Sequence, residues 1–201
     1  MDHESRAHRP FAPPTPPAAG PTAGFTAGNI CLIGLMGSGK STIGPLLAQR
    51  LGYTFVDLDE EISTSMGHPI REIFEQLGEE KFREEERSQL RRFCQQEKQV
   101  IACGGGVVVT ADNLEYLRRQ TTVYLKASPE TLARRVGPDK ERPLLKGAVS
   151  VAQRLATILR EREPLYRDCA KITLSTEGKD PDTLVRELLA QLPAEISSPA
   201  P

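Results

Sequence analysis

Between an apolar run at Asn29 to Ile33 and a stretch of helical character stands Gly34-Leu-Met-Gly-Ser-Gly39-Lys40-Ser41, which satisfies the spacing G-x-x-x-x-G-K-[ST]. A strand before and a helix after form the context in which this spacing makes a phosphate-binding loop. Its glycines let the backbone turn tightly so that N–H groups converge on phosphate oxygens. The helix that begins nearby adds the positive end of its dipole. Gly37, Ser38, Gly39, Lys40, Ser41 and Thr42 are therefore the candidate nucleotide-binding residues. Lys40 is expected to reach the β- and γ-phosphates of ATP, and the Ser41 hydroxyl to ligate a single Mg²⁺. Pro45 falls inside the following helix, where it removes one hydrogen bond and crowds the Ser41 carbonyl, so a local kink is expected there.

Further apolar runs occur at Thr54 to Asp57, Val100 to Cys103, Thr122 to Leu125 and Lys171 to Ser175, each separated from the next by a helical pattern. That alternation predicts βαβ units and a parallel sheet. The expected fold is α/β: a three-layer sandwich of the P-loop NTPase type, with a central five-stranded parallel sheet and helices on both faces. Ser150 with Gln153 reads as a capping box before Val151, and Asp180-Pro181 as N-cap and N1 of a helix over Thr183 to Leu192. Glu79 to Glu97 reads as a long charged helix with a thin stripe of Phe82, Leu90 and Phe93, its charges mostly a solvated face. One domain over 28–195 is expected. A Pro/Ala-rich, disordered tail (1–27) would precede it and a loose end (196–201) would follow. Composition argues against reading the N-terminal segment as a transit peptide, because it has acidic residues and a proline run.

The 26 basic and 27 acidic residues give a formal net charge of −1, so no overall field would draw the chain to nucleic acid or to an acidic membrane. Any anion site must be local. Cys31, Cys94, Cys103 and Cys169 show no C-x-x-C and no nearby His pair, which signals neither zinc nor a disulfide framework. No apolar run reaches the roughly 20 residues of a membrane span. A soluble, cytoplasmic monomer is expected.

Asp57 and Asp59 end the second apolar run, and a strand's period of two would put both carboxylates on one face beside the phosphate loop. One would support Mg²⁺ through water; the other would hold or deprotonate an accepting hydroxyl. Alone, the pair reads equally well as acids opening a helix before Glu60-Glu61. Gly104-Gly105-Gly106 follows the third run, where a loop without side chains lets backbone approach a ligand closely.

Taken together, the phosphate loop, Asp57-Leu-Asp59, Gly78-Glu-Glu-Lys-Phe82-Arg83-Glu-Glu-Glu86, Gly104-Gly-Gly106, Arg142-Pro-Leu-Leu145 and Arg162-Glu-Pro-Leu-Tyr166 resemble the shikimate kinase family over about Asn29 to Leu192. The resemblance implies transfer of the γ-phosphoryl group of ATP to the 3-hydroxyl of shikimate. It implies that Asp59 holds the ring hydroxyls and is the candidate base. Arg83 and Arg162 would grip the carboxylate with the backbone of Gly104, Gly105 and Gly106. A guanidinium fork suits that task, since it gives directed, charge-assisted bonds where lysine gives a point charge. Alone, Arg83 reads as a surface ion-pair residue, and Arg162, close to Pro164, as a charge at a helix end. By the same resemblance Gly137 to Ser150 is a mobile lid carrying Arg142 as a catalytic cation, and Arg135 lies near adenine, with Arg134 as its competitor for that place. Departures are Pro45 in place of a usually basic residue and Cys103 in place of a small hydroxyl residue.

Two rival functions remain: a kinase for another small acceptor such as gluconate or a nucleotide, and a non-catalytic nucleotide-binding regulator. The paired arginines and glycine triplet disfavour the first. The presence of Lys40, Asp59 and Arg142 disfavours the second.

Overall fold

A computed structural model describes residues 28–136, 150–193 and 196. Arg142 with nearly all of the expected lid, the segment 1–27 and the last five residues lie outside the described residues. The apolar runs form strands β1 (Ile30–Ile33), β2 (Thr54–Asp57), β3 (Gln99–Ala102), β4 (Thr121–Lys126) and β5 (Ile172–Ser175). All pairings are parallel, in the order β2-β3-β1-β4-β5. The expected five-stranded parallel sheet is thus present, with strand ends within one residue of those read from the sequence. Central β1 and β3 are buried along their whole length, which is why they read as continuous apolar runs rather than alternating ones.

The connections are helical: α1 (Lys40–Leu51), α2 (Leu58–Met66), a short α3 (Ile70–Glu72) that runs through a π-helical turn (Ile73–Leu77) into α4 (Gly78–Cys94), then α5 (Ala111–Arg119), α6 (Pro129–Val136), α7 (Val151–Cys169) and α8 (Pro181–Leu189). Alternate residues of the strands feed two separate cores. Cys31, Ile33, Ile101 and Tyr124 pack with Leu90 and Phe93 of α4, Leu117 of α5 and Tyr166 of α7. Ile30, Leu32, Val100 and Leu125 pack on the other face with Ile43 and Leu47 of α1 and Leu184 and Leu188 of α8. This is the three-layer sandwich the alternation requires.

Helix ends follow their sequence signals. Asp180 Oδ1 accepts from the Thr183 N–H at 2.9 Å with Pro181 at N1, and Ser150 Oγ accepts from the Gln153 N–H at 3.5 Å. Pro45 lies inside α1, where its ring leaves the Ser41 carbonyl without its usual donor. Two details differ from expectation. α7 continues through Pro164, so Arg162 lies inside a helix and not at its end. Ile196, expected in a loose end, is buried against the α1/α8 face. Among the described residues no helix is long and apolar enough to cross a membrane.

Gly34, where β1 enters the phosphate loop, has φ +140°, and a Cβ there would stand 2.5 Å from the Leu125 carbonyl oxygen. Neither strain nor clash can be relieved by a side-chain rotation. Gly34→Ala is therefore expected to lower stability by about 2 kcal/mol or more, read as a lower urea midpoint with unchanged m-value.

Candidate active site

The loop after Ile33 is closed on itself by its own polar groups. The Ser38 N–H donates to the Leu35 carbonyl at 3.1 Å, and Lys40 Nζ donates to the carbonyls of Gly34 (2.9 Å) and Leu35 (3.3 Å). Gly39 caps α1 in the left-handed region with φ +103°. Gly37, Ser38, Gly39, Lys40, Ser41 and Thr42 together line one side of a cavity of about 530 Å³.

Across from them, Ser41 Oγ donates to Asp57 Oδ2 at 2.7 Å, while Asp57 Oδ1 accepts from the Asp59 N–H at 3.1 Å. Asp57 is therefore both a partner of the phosphate-loop serine and the N-cap of α2. The two sequence readings of this pair are compatible, but strand periodicity is not what aligns the carboxylates. β2 ends at Asp57 and the helix begins at Leu58, so Asp59 is placed by the first turn of α2.

A second cavity of about 540 Å³ adjoins the first. Its walls include Phe74, Arg83, Glu86, Arg162 and the glycine triplet, and the two cavities share Met36, Asp59 and Gly105. Two of the three glycines are crowded, whereas a Cβ at Gly105 would meet nothing closer than 3.5 Å. A Cβ at Gly104 would lie 2.8 Å from Asp59 Oδ1, and one at Gly106 would lie 2.5 Å and 2.6 Å from the two terminal nitrogens of Arg83. Arg83 is held from its own helix, with Nη1 donating to Glu86 Oε2 at 2.9 Å and Nη2 to Glu79 Oε1 at 3.0 Å. It is no surface ion-pair residue, since its side chain is only 15% exposed. Arg162 Nη1 donates to the Gly105 carbonyl at 3.0 Å, and the Tyr166 hydroxyl donates to the same oxygen. The structure thus brings Asp59, Arg83, Arg162 and the three glycines to one cavity.

At the far end of the first cavity, Arg135 donates to the Gly37 carbonyl (3.3 Å) and to Thr176 Oγ1 (2.9 Å) and O (2.7 Å). Arg134 turns back to Thr131 of its own helix at 3.2 Å. Of the two neighbouring arginines, only Arg135 lines the cavity.

Glu86 is the functional-site residue that sequence reasoning passed over as part of a charged face. Its side chain is 1% exposed and its Oε1 has no hydrogen-bond partner among the described residues. Burial pushes its carboxyl up to about 7, against the pull of Arg83; Asp59 adds to the rise and Arg162 opposes it. A signal was available, because Phe82, Glu86, Leu90 and Phe93 share one helical face. Only the charged run Glu84-Glu85-Glu86 obscured it.

A family model for shikimate kinase matches residues 36–193. The chain belongs to the shikimate kinase family. Membership makes it an ATP-dependent kinase, and curated relatives extend the match. A shikimate kinase of Moorella thermoacetica is 43% identical over 85% of this chain and 98% of its own length. One from Nitrosomonas europaea is 41% identical over 89% of this chain and 84% of its own. Among solved structures, the shikimate kinase from Acinetobacter baumannii, determined in complex with shikimate, has a TM-score of 0.78 and 39% identity over 82% of this chain and 92% of that one. A gluconokinase from Sinorhizobium meliloti, at 21% identity and a TM-score of 0.52, shares the fold alone.

In the folded chain Glu86 keeps its proton up to about pH 7, whereas unfolding returns it to the ordinary value of 4.5. Between those limits the folded state holds more protons, so the Glu86 contribution to stability falls as pH rises and levels off above 7. Glu86→Gln should therefore gain stability relative to the parent chain between pH 5 and pH 8, by an amount on the order of 3 kcal/mol. Urea unfolding of both proteins across that range measures the difference, and parallel profiles would refute it.

Proposed function

We propose that this chain transfers the γ-phosphoryl group of ATP to the 3-hydroxyl of shikimate, giving shikimate 3-phosphate and ADP on the route to chorismate. The observation that carries the reading is the junction of two cavities at Asp59. One is lined by the phosphate loop and the other by two guanidinium groups and a glycine floor. ATP fits the first and a small carboxylate-bearing alcohol fits the second, so the donor phosphate and the acceptor hydroxyl would meet where Met36, Asp59 and Gly105 are shared.

Each side chain then has a role. Arg83 and Arg162, with the backbone of Gly104, Gly105 and Gly106, grip the acceptor carboxylate. Asp59 fixes the ring hydroxyls and takes the proton of the 3-hydroxyl as its oxygen bonds to the γ-phosphorus. The bond from that phosphorus to the β-phosphate oxygen breaks in line, and ADP leaves. Lys40 moves from loop carbonyls to the phosphates. Arg135 borders the adenine end, and Arg142, outside the described residues, is the cation the family resemblance assigns to the transferring phosphoryl group.

Mg²⁺ fits the donor set, because the Ser41 hydroxyl and the Asp57 carboxylate are hard oxygens already within 2.7 Å of each other. Among the described residues no cluster of three or more His, Cys, Asp or Glu could hold a metal ion. Mg²⁺ needs none, since it commonly takes one or two protein oxygens and completes its shell with phosphates and water. Ser41 would bind it directly and Asp57 through water, and it would neutralise charge on the β- and γ-phosphates. The working unit we propose is the 28–195 domain, as a cytoplasmic monomer with no nucleic-acid partner.

A coupled ADP-release assay with shikimate, gluconate and nucleoside monophosphates tests the substrate, and turnover with shikimate alone is expected. Asp59→Asn should lower kcat by a factor of at least about 100 while leaving ATP affinity within about two-fold. Near-normal turnover would remove Asp59 from its role. Arg83→Ala and Arg162→Ala should act mainly on the shikimate KM, and an unchanged value in both would dissolve the carboxylate clamp.

A further inference from the structure

Tyr166 is the largest polar side chain near the acceptor cavity that the chemistry above does not use. It is fully buried, and its ring stacks on Tyr124 at a centroid distance of 5.0 Å and an interplanar angle of 21°. Its hydroxyl donates to the Gly105 carbonyl, the same oxygen that accepts from Arg162 Nη1 at 3.0 Å. Burial raises the phenol well above its ordinary range, which keeps that proton in place at neutral pH.

Arg162, Tyr166 and the middle glycine thus form a triangle whose two hydrogen bonds meet on the Gly105 carbonyl oxygen. Arg162 and Tyr166 are one turn apart on α7, and the third corner is the loop that borders both cavities. An arginine side chain loses considerable rotamer freedom when it is held in one geometry, and a buried partner that holds it before the ligand arrives removes that cost from binding. One of its N–H groups is committed to the Gly105 carbonyl, which the phenol also holds, and this restricts the plane of the fork. That plane decides whether the remaining N–H groups meet a carboxylate in line.

We propose that Tyr166 is a positioning residue for acceptor binding, which acts by fixing the Gly105 carbonyl that holds the Arg162 guanidinium in the orientation that receives the acceptor carboxylate. This inference rests on the functional reading above. Tyr166 touches neither acceptor nor nucleotide, and its action is confined to the acceptor side of the site.

The test is steady-state kinetics of the full chain with Tyr166→Phe, which keeps the stacked ring and leaves no buried donor without a partner. The KM for shikimate should rise about five-fold, the worth of one hydrogen bond, while the KM for ATP and kcat stay within about two-fold. In an Arg162→Ala background the same change should alter the shikimate KM by less than about two-fold, because the group through which the phenol acts is gone. An unchanged shikimate KM overturns the proposal, as does an equal rise in both KM values or the full effect persisting without Arg162. Turnover of shikimate by the parent chain is measured first. Its absence defeats the functional reading and this inference together, whereas normal turnover with a flat Tyr166→Phe defeats the inference alone.

Discussion

At the carboxyl edge of the sheet the Cys103 N–H donates to the Leu32 carbonyl at 3.0 Å, one rung beyond the last residue of β3. Parallel strands release their chains at the same edge, so this rung fixes the height at which two loops separate. One becomes the phosphate cradle and the other the glycine triplet. Asp57 of β2 pairs with Ala102, which in turn pairs with Leu32, so the acidic segment leaves the sheet at that same level. A slip of one residue would shift any of these loops by about 3.3 Å and reverse the faces of its strand. The buried, alternately facing residues of β1 and β3 forbid such a slip, and in that way core packing sets the distances of the site.

The charges around the acceptor cavity are arranged in opposition. Arg83 and Arg162 face Asp59 and Glu86, so the cations are not left uncompensated in a partly buried wall, where an unpaired charge would be costly. Arg83 divides its donors between Glu79 and the buried Glu86. The carboxylate of Glu86 bears most of the cost of this arrangement, since it is desolvated and has Asp59 as a further negative neighbour. Arg83 is oriented by carboxyl groups of its own helix and Arg162 by the Gly105 carbonyl, so both guanidinium groups are held in place before any ligand is bound.

Much of this was legible in the sequence, and the parts that were not share a cause. Strand positions follow from local apolar runs, and the phosphate loop follows from spacing within eight residues. Asp59 was found for a reason that the fold does not use, because the boundary between β2 and α2 falls between it and Asp57. Arg162 was expected at a helix end because Pro164 stands beside it, yet tertiary packing of Leu155, Ile158 and Tyr166 carries α7 through the proline. Glu86 and Tyr166 escaped because their roles exist only across long separations: Glu86 lies against Gly104, and Tyr166 reaches Gly105 from 61 residues away. Without the family resemblance, no local pattern would have joined Arg83 to Arg162.

The glycines show where the boundary between local and global information falls. Gly34, Gly37 and Gly39 have positive φ, a backbone need that any reader of the loop motif can infer from the turn itself. Gly104 and Gly106 are not among the residues with positive φ, so their backbones would accept other residues. What excludes a side chain there is the presence of the Asp59 carboxylate and the Arg83 guanidinium, delivered from α2 and α4. The first set of glycines is required by how this chain binds phosphate. At Gly104 and Gly106 the requirement comes from the groups delivered beside them, so their necessity is tertiary and could not be read from the turn alone.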